Sequence, residues 1–147
     1  TYWHCRDFLK AIELWTTKTL PVYREELGEH PWTAAIFYYI ADSYKALANG
    51  NSGEYTDKAV RYVKEALQLQ KSLMGVHRDT ARTHVCLSDV LRIQGEWKLA
   101  LMELEKGLEI QTDVLGPDHE KTIATRNKMA EVRATMGRQE ESKEKRE

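Results

Sequence analysis

The sequence predicts an all-α protein, built as a solenoid of stacked helical hairpins with about seven helices. A similar turn-like segment occurs three times, at residues 27–34, 74–81 and 115–122. Its glycines, Gly28, Gly75 and Gly116, are 47 and 41 residues apart, which is enough for a pair of helices and their turns. Apolar residues between these turns recur at helical spacing. Repetition on this scale indicates stacked units rather than one globular core.

The first element is predicted to be an N-terminal helical segment, residues 1–28. Phe8, Ile12 and Trp15 form an apolar stripe at helical spacing. Pro21 has no backbone N–H and its ring clashes with the preceding turn. The first helix is therefore expected to kink or stop near Thr19.

Each repeated turn is predicted to end one helix and to begin the next. Its glycine suits the left-handed residue that follows the last helical turn. A threonine follows at or near the start of the next helix, where its side-chain oxygen is expected to accept a hydrogen bond from a free backbone amide. These threonines are Thr33, Thr80 and Thr122.

Two helical hairpins are predicted to follow, as repeats 29–75 and 76–116, each with a helix A and a helix B. Small residues on the B helices are expected to let the two helices of a hairpin approach closely; they include Ala59, Ala66, Ala100 and Gly107. The segment 49–53, Asn-Gly-Asn-Ser-Gly, is predicted to be an exposed loop that lengthens the first repeat by five residues.

The chain is predicted to end in a capping helix, residues 117–137, and a polar tail, residues 138–147. Arg126 and Arg133 occupy positions that are mostly apolar in the earlier A helices. A polar outer face is what the last unit of a solenoid needs for solubility. No apolar residue occurs in 143–147, so the tail is expected to be frayed or solvated.

The apolar and small positions of the first repeat are Phe37, Ile40, Ala41, Tyr44, Ala59, Val63 and Ala66, and the second repeat has Leu87, Ser88, Leu91, Ala100, Leu104 and Gly107. This pattern resembles the tetratricopeptide signature. The usual period is ~34 residues. The longer repeats here, with their G-x-H-P-x-T and G-P-D-H-x-x-T turns, resemble those of kinesin light chain and nephrocystin. The resemblance covers roughly residues 22–137 and implies one solenoid domain over 1–137.

Composition and motifs argue against several classes of function. The chain has 22 Lys and Arg against 23 Asp and Glu, which predicts neither nucleic acid nor anionic lipid as a partner. The longest apolar run, 34–41, is too short to cross a bilayer. Cys5 and Cys86 are expected to be reduced thiols of a cytoplasmic protein. Because the chain begins at Thr1, we expect it to be a piece of a longer protein.

Neither catalysis nor a metal is predicted. No phosphate-binding, dinucleotide-binding, hydrolase or C-x-x-C motif occurs. His30, His77 and His119 recur once per repeat, too far apart to share an ion, and are predicted to be turn residues. His84 and Cys86 are two residues apart on a helix, so their side chains diverge. We therefore predict a protein that is not an enzyme and that needs no cofactor.

The A helices carry the candidate binding residues. In tetratricopeptide arrays these helices line the concave face, and the resemblance assigns to that face Tyr38, Asp42, Lys45, Arg82, Val85, Asp89, Arg92, Asn127 and Glu131. Independently of the family, the i, i+4, i+7 spacing places the first three on one helix face. Stacking predicts an acidic row of Asp42, Asp89 and Glu131 beside Lys45 and Arg92. The alternative is a solvated face with ion pairs inside each helix.

These features predict a non-catalytic protein-protein interaction module, an adaptor or scaffold. Its partner would be a peptide segment or a partner domain held on the concave face. Asn127 corresponds to an asparagine that binds the peptide backbone in kinesin light chain. The residues at the same position of the two earlier A helices are Tyr38 and Val85, so most of those backbone contacts are not expected here. A ligand with a free C-terminal carboxylate is disfavoured, since the expected Lys and Asn are absent. The alternative is an assembly module, a homo-oligomer formed through the repeat ends or the repeat region of a larger signalling protein.

Overall fold

The computed structural model describes the backbone of residues 2–146 and the side chains of residues 6–146. Within that range the fold is all helical, with seven α-helical segments and one short π-helical segment. They are α1 (Tyr2–Leu14), the π segment (Trp15–Thr19), α2 (Leu20–Leu27), α3 (Pro31–Ala48), α4 (Glu54–Leu73), α5 (Arg78–Ile93), α6 (Trp97–Val114) and α7 (Glu120–Arg146). The prediction of an all-α solenoid is confirmed. Cys5 lies outside the residues whose side chains are described.

The N-terminal helix does not stop near Thr19, which was one of the two outcomes that the sequence predicted. It widens into the π segment and continues as α2, with Pro21 in the first turn of α2. The N–H of Leu20 reaches back five residues to the carbonyl of Trp15. The hydroxyls of Thr16 and Thr17 donate to the carbonyls of Ile12 and Glu13, at 2.8 and 2.6 Å. The widened turn, preceded by two α1 carbonyls that accept from threonine hydroxyls, therefore connects α1 to α2 without a break.

The repeated turns end their helices at glycine, as predicted. Gly28, Gly75 and Gly116 have φ of 61°, 59° and 93°, a region that only glycine enters without strain. The cap of the next helix is a histidine, and the predicted role of the threonines is wrong. In each turn the histidine Nδ1 accepts a backbone N–H two residues on, at 3.1 Å in all three turns, from Trp32, Asp79 and Lys121.

The threonines donate hydrogen bonds instead of accepting them. Each is buried in the first helical turn, and its hydroxyl bonds back to the carbonyl of the turn glycine. The oxygen–oxygen distances are 3.1 Å for Thr33, 3.1 Å for Thr80 and 2.8 Å for Thr122. The glycine, histidine and threonine therefore form one turn motif. It ends a helix, caps the next helix, and joins the two by a hydrogen bond.

We expect His77→Ala to lower the free energy of unfolding by about 1 kcal/mol, because it removes the acceptor for the Asp79 N–H. His77→Asn, which keeps a short acceptor at the cap, should recover most of that loss. Urea denaturation followed by circular dichroism measures both changes. An unchanged midpoint in His77→Ala would show that water replaces the cap without cost.

Helices α3 with α4 and α5 with α6 pack as the two predicted hairpins. The small residues lie at the contacts: Ala59, Ala66 and Ala100 are fully buried. Gly107 allows the closest approach, since a Cβ there would lie 3.1 Å from Cγ2 of Val85 and 3.3 Å from the carbonyl oxygen of Ala81. Neighbouring hairpins also share a core, in which Val63 of α4 packs with Leu87 of α5.

The segment 49–53 is an exposed connection, as predicted, but it does not contain the whole insertion. Helix α3 has 18 residues where α5 has 16, and the connection to the next helix has five residues where the later hairpin has three. Gly53 belongs to the start of α4, because its N–H and its carbonyl both bond to the hydroxyl of the fully buried Thr56. The extra length is thus divided between a helix and its loop.

Helix α7 is the predicted capping helix, but it does not end at Gly137. Met129 and Val132 bury one side of it against Leu104 of α6, and Arg126 and Arg133 are exposed. The helix runs unbroken to Arg146, so of the two predicted alternatives the tail is solvated and not frayed. The tail is rich in Glu, Lys, Arg and Gln, strong helix formers that continue a helix without burying a face.

Candidate functional site

The nine predicted binding residues lie on α3, α5 and α7, the three A helices. We call their surface the A-helix face. It is formed by Tyr38, Asp42, Lys45, Arg82, Val85, Asp89, Arg92, Asn127 and Glu131. All nine are at least partly exposed, and most are joined to a residue of a neighbouring A helix. Asn127 is exposed, and its side chain makes no hydrogen bond with the rest of the described chain.

Asp89, in the middle of α5, is the centre of the charge arrangement. Its Oδ2 lies 3.4 Å from Nζ of Lys45 on α3. Both of its carboxylate oxygens lie 3.0 Å from Nζ of Lys128 on α7. Lys45 also pairs with Asp42 at 3.1 Å within α3. One carboxylate therefore bridges all three A helices.

A second ion pair connects α5 and α7, between Arg92 Nη2 and Glu131 Oε2 at 3.1 Å. Of the pairs made by the face residues, those of Lys45 with Asp42 and of Arg82 with Asp79 lie inside a helix, as the alternative predicted. The pairs made by Asp89 and Arg92 cross between repeats. Exposed pairs contribute roughly 0.2–1 kcal/mol each. Their larger effect is to leave the face with both signs of charge held in fixed positions.

Lys128 was missed by the sequence reasoning. It stands one residue after Asn127, and Lys128 therefore corresponds to Tyr39 and Cys86 in the earlier A helices. The one signal available in the sequence was that this position is a lysine, whereas the earlier copies have an aromatic residue and a cysteine there. Its partner on another helix is not visible from spacing along one helix.

Tyr38 forms an aromatic and cationic cluster at one side of the face. The guanidinium carbon of Arg82 lies 4.4 Å from the centre of the Tyr38 ring, in the range of a cation–π contact. Tyr39 meets Tyr38 edge to face, with the ring centres 5.6 Å apart. Burial, with Cys86 and Asp42 nearby, raises the pKa of Tyr38 to about 12, so its hydroxyl stays protonated at neutral pH.

Two titratable groups at the middle of the face, Cys86 and Lys45, have raised pKa values. Burial raises the pKa of the Cys86 thiol to about 12, which makes it a poor nucleophile at neutral pH. Burial also acts to lower the pKa of Lys45, but Cys86, Asp89 and Asp42 outweigh it and raise that pKa above its usual value. Lys45 is thus a fixed cation. The described residues contain no cluster of three metal-ligating side chains.

This architecture defines the protein as an α-helical repeat solenoid. Residues 79–144 match the family described as tetratricopeptide repeat. Two solved structures of a Podosopora anserina protein, described as kinesin light chain nearly identical TPR-like repeats, are similar to this chain at 24% identity, with TM-scores of 0.73 and 0.74. The resemblance to tetratricopeptide repeats inferred from the sequence is thereby confirmed, and the likeness to the kinesin light chain repeats is one of fold.

The match to those structures covers 91% of this chain and 61% of theirs. The chain thus spans less than two thirds of the solved repeat arrays. None of the curated proteins compared matches it. Within residues 2–146, no helix combines the length and apolarity needed to cross a membrane.

Proposed function

We propose that the chain is a non-catalytic interaction module that acts in the cytoplasm as an adaptor or scaffold and binds an extended peptide segment along the A-helix face. The observation that carries the proposal is the combination of an accessible aromatic cluster at Tyr38 with charges aligned across three helices. Tetratricopeptide folds generally serve protein-protein interaction. Tyr38 would be the apolar anchor, and the charges would set specificity and encounter rate.

The charge pairs favour a segment of mixed charge over a purely basic one. Asp89 faces two lysines, and Glu131 faces Arg92. A basic ligand would compete with these cations for the same carboxylates. A segment that carries both signs can pair with the exposed carboxylates of Asp42 and Glu131, whose side chains are 47% and 63% accessible, while leaving the central pairs in place.

The test compares partners captured by the wild-type chain with those captured by Tyr38→Ala and Glu131→Lys. Glu141→Lys on the exposed end of α7 is the matched charge control, and thermal unfolding of each variant checks the fold. We expect both face variants to lose the same partner while the control retains it, and raised salt to weaken the capture. A partner held equally by all four proteins would contradict the proposal.

An assembly role is the second candidate, favoured by apolar side chains on the N-terminal helix. Leu9, Leu14 and Val22 are 45%, 50% and 56% exposed. Light scattering over a concentration series decides between the two. A stable oligomer that is lost in Leu14→Glu, together with unaltered capture by the face variants, would favour assembly through the repeat end.

A further inference from the structure

Two adjoining cavities lie between the N-terminal parts of α5 and α7, beside the A-helix face. Their volumes are about 330 and 160 Å³. Both are lined by Arg78, Arg82, Leu115 and Lys121. The larger cavity is also lined by His119 and Asp79. The smaller one has a partly apolar wall of Val85, Leu115 and Ala124 and extends to Lys128.

The cavities carry more positive charge than the neighbouring carboxylates neutralise. Arg82 lies 3.8 Å from Asp79, and Lys128 lies 3.0 Å from Asp89. Arg78 and Lys121 are exposed, and neither forms an ion pair with any residue that the structure describes. Four cations against two carboxylates leave about two positive charges facing a shared space.

Arg82 provides a second, independent observation. Its Nε is buried, and no acceptor bonds to it among the described residues. A buried donor without a partner destabilises the fold. The face of the same guanidinium is fixed over the Tyr38 ring. The group is therefore held in place by stacking while part of its hydrogen-bonding capacity is unused.

We propose that these cavities form a subsite for a phosphorylated side chain of the segment bound on the A-helix face. A phosphomonoester carries a charge of about −1.5 to −2 at pH 7 and three acceptor oxygens, which matches the two unneutralised charges better than one carboxylate does. Arginine forks suit phosphate geometry, and lysine adds a point charge. The inference rests on the proposed function, because the phosphate would be carried by the bound segment.

The test uses single amino acids as probes, so that it does not require the partner. N-acetyl phosphotyrosine amide, N-acetyl phosphoserine amide, N-acetyl tyrosine amide and inorganic phosphate are titrated at constant ionic strength, and the affinity is measured from amide shifts in NMR spectra. The proteins are wild type, the double variant Arg78→Gln/Lys121→Gln, and Lys64→Gln, which removes an exposed charge from α4.

We expect saturable binding of at least one phosphorylated amino acid, with shifts around α5 and α7. The double variant should weaken it at least tenfold, and Lys64→Gln should leave it unchanged. Equal loss in both variants, or equal affinity for inorganic phosphate and the phosphorylated amino acids, would overturn the proposal. Because no peptide is used, a negative result in this titration does not contradict peptide binding on the A-helix face. Conversely, if the face variants do not lose a partner, the affinity measured here for phosphorylated amino acids is unchanged.

Discussion

We expect Ala100→Leu to lower the free energy of unfolding by roughly 1–3 kcal/mol, because the added atoms overpack a helix contact. Ala100 is fully buried on α6, in a cluster with Leu87 and Leu91 of α5 and with Val63 and Leu67 of α4. A larger side chain must push α6 away from α5 or take an unfavourable rotamer. Urea denaturation of the intact chain measures the change.

The matched control is Ala130→Leu, the same substitution at an exposed position of α7. Alanine and leucine have similar helix propensities, so the control midpoint should barely move. A fall in both midpoints by the same amount would point to a general effect of leucine on solubility or aggregation. An unchanged midpoint for Ala100→Leu would show that the packing of the second hairpin has been misread.

The hairpins could be predicted because their signals are local and occur more than once. A glycine that ends a helix, a small residue at a contact and a stripe at helical spacing each depend on a few neighbouring residues. Gly75 and Gly116 show this, as do Ala59 and Ala100, which occupy matching positions in the two hairpins. Because the same local signals recur in each copy, together they predict the fold although each of them is weak.

The exchanged roles of histidine and threonine could not be read from the sequence. Both residue types suit a helix start. Which of the two caps the helix depends on where the end of the previous helix places the turn backbone. In the structure the Gly75 carbonyl lies within reach of the Thr80 hydroxyl, which therefore donates, and the cap is left to His77. The direction of that hydrogen bond is set by the backbone geometry of the turn, in which a carbonyl oxygen can only accept.

The residues of the A-helix face were predicted from the family resemblance and, for most of them, also from spacing within each helix, but their pairing was not predicted. Spacing places Asp89 and Arg92 on one face of α5. It cannot show that Asp89 meets Lys45 and Lys128 from two other helices, because that depends on the stagger of the repeats. The predicted acidic row is consequently a row of ion pairs. Spacing thus predicts which residues share a helix face, but not which charges meet between helices.

A buried hydrogen-bonded pair, His84 and Glu103, connects α5 and α6. His84 is 2% exposed, and its Nδ1 lies 2.6 Å from Oε2 of Glu103. Since a carboxylate only accepts, Nδ1 carries the hydrogen. Glu103→Leu leaves that buried donor unpaired and is expected to cost roughly 1–3 kcal/mol at pH 7. Glu105→Leu, exposed on the same helix, should change stability by no more than about 0.5 kcal/mol.

The same pair predicts a loss of stability in acid. Burial acts to raise the pKa of Glu103, but hydrogen bonds from His84 and Lys106 outweigh it, so this pKa lies below its ordinary value of 4.5. A carboxyl group with a lowered folded-state pKa stabilises the fold above its unfolded pKa, and the contribution disappears as the pH falls through the folded value. Wild type should therefore lose stability below pH 4.5 more steeply than the double variant His84→Leu/Glu103→Leu, measured by urea denaturation at each pH. Parallel profiles would show that the acid sensitivity of the fold arises elsewhere.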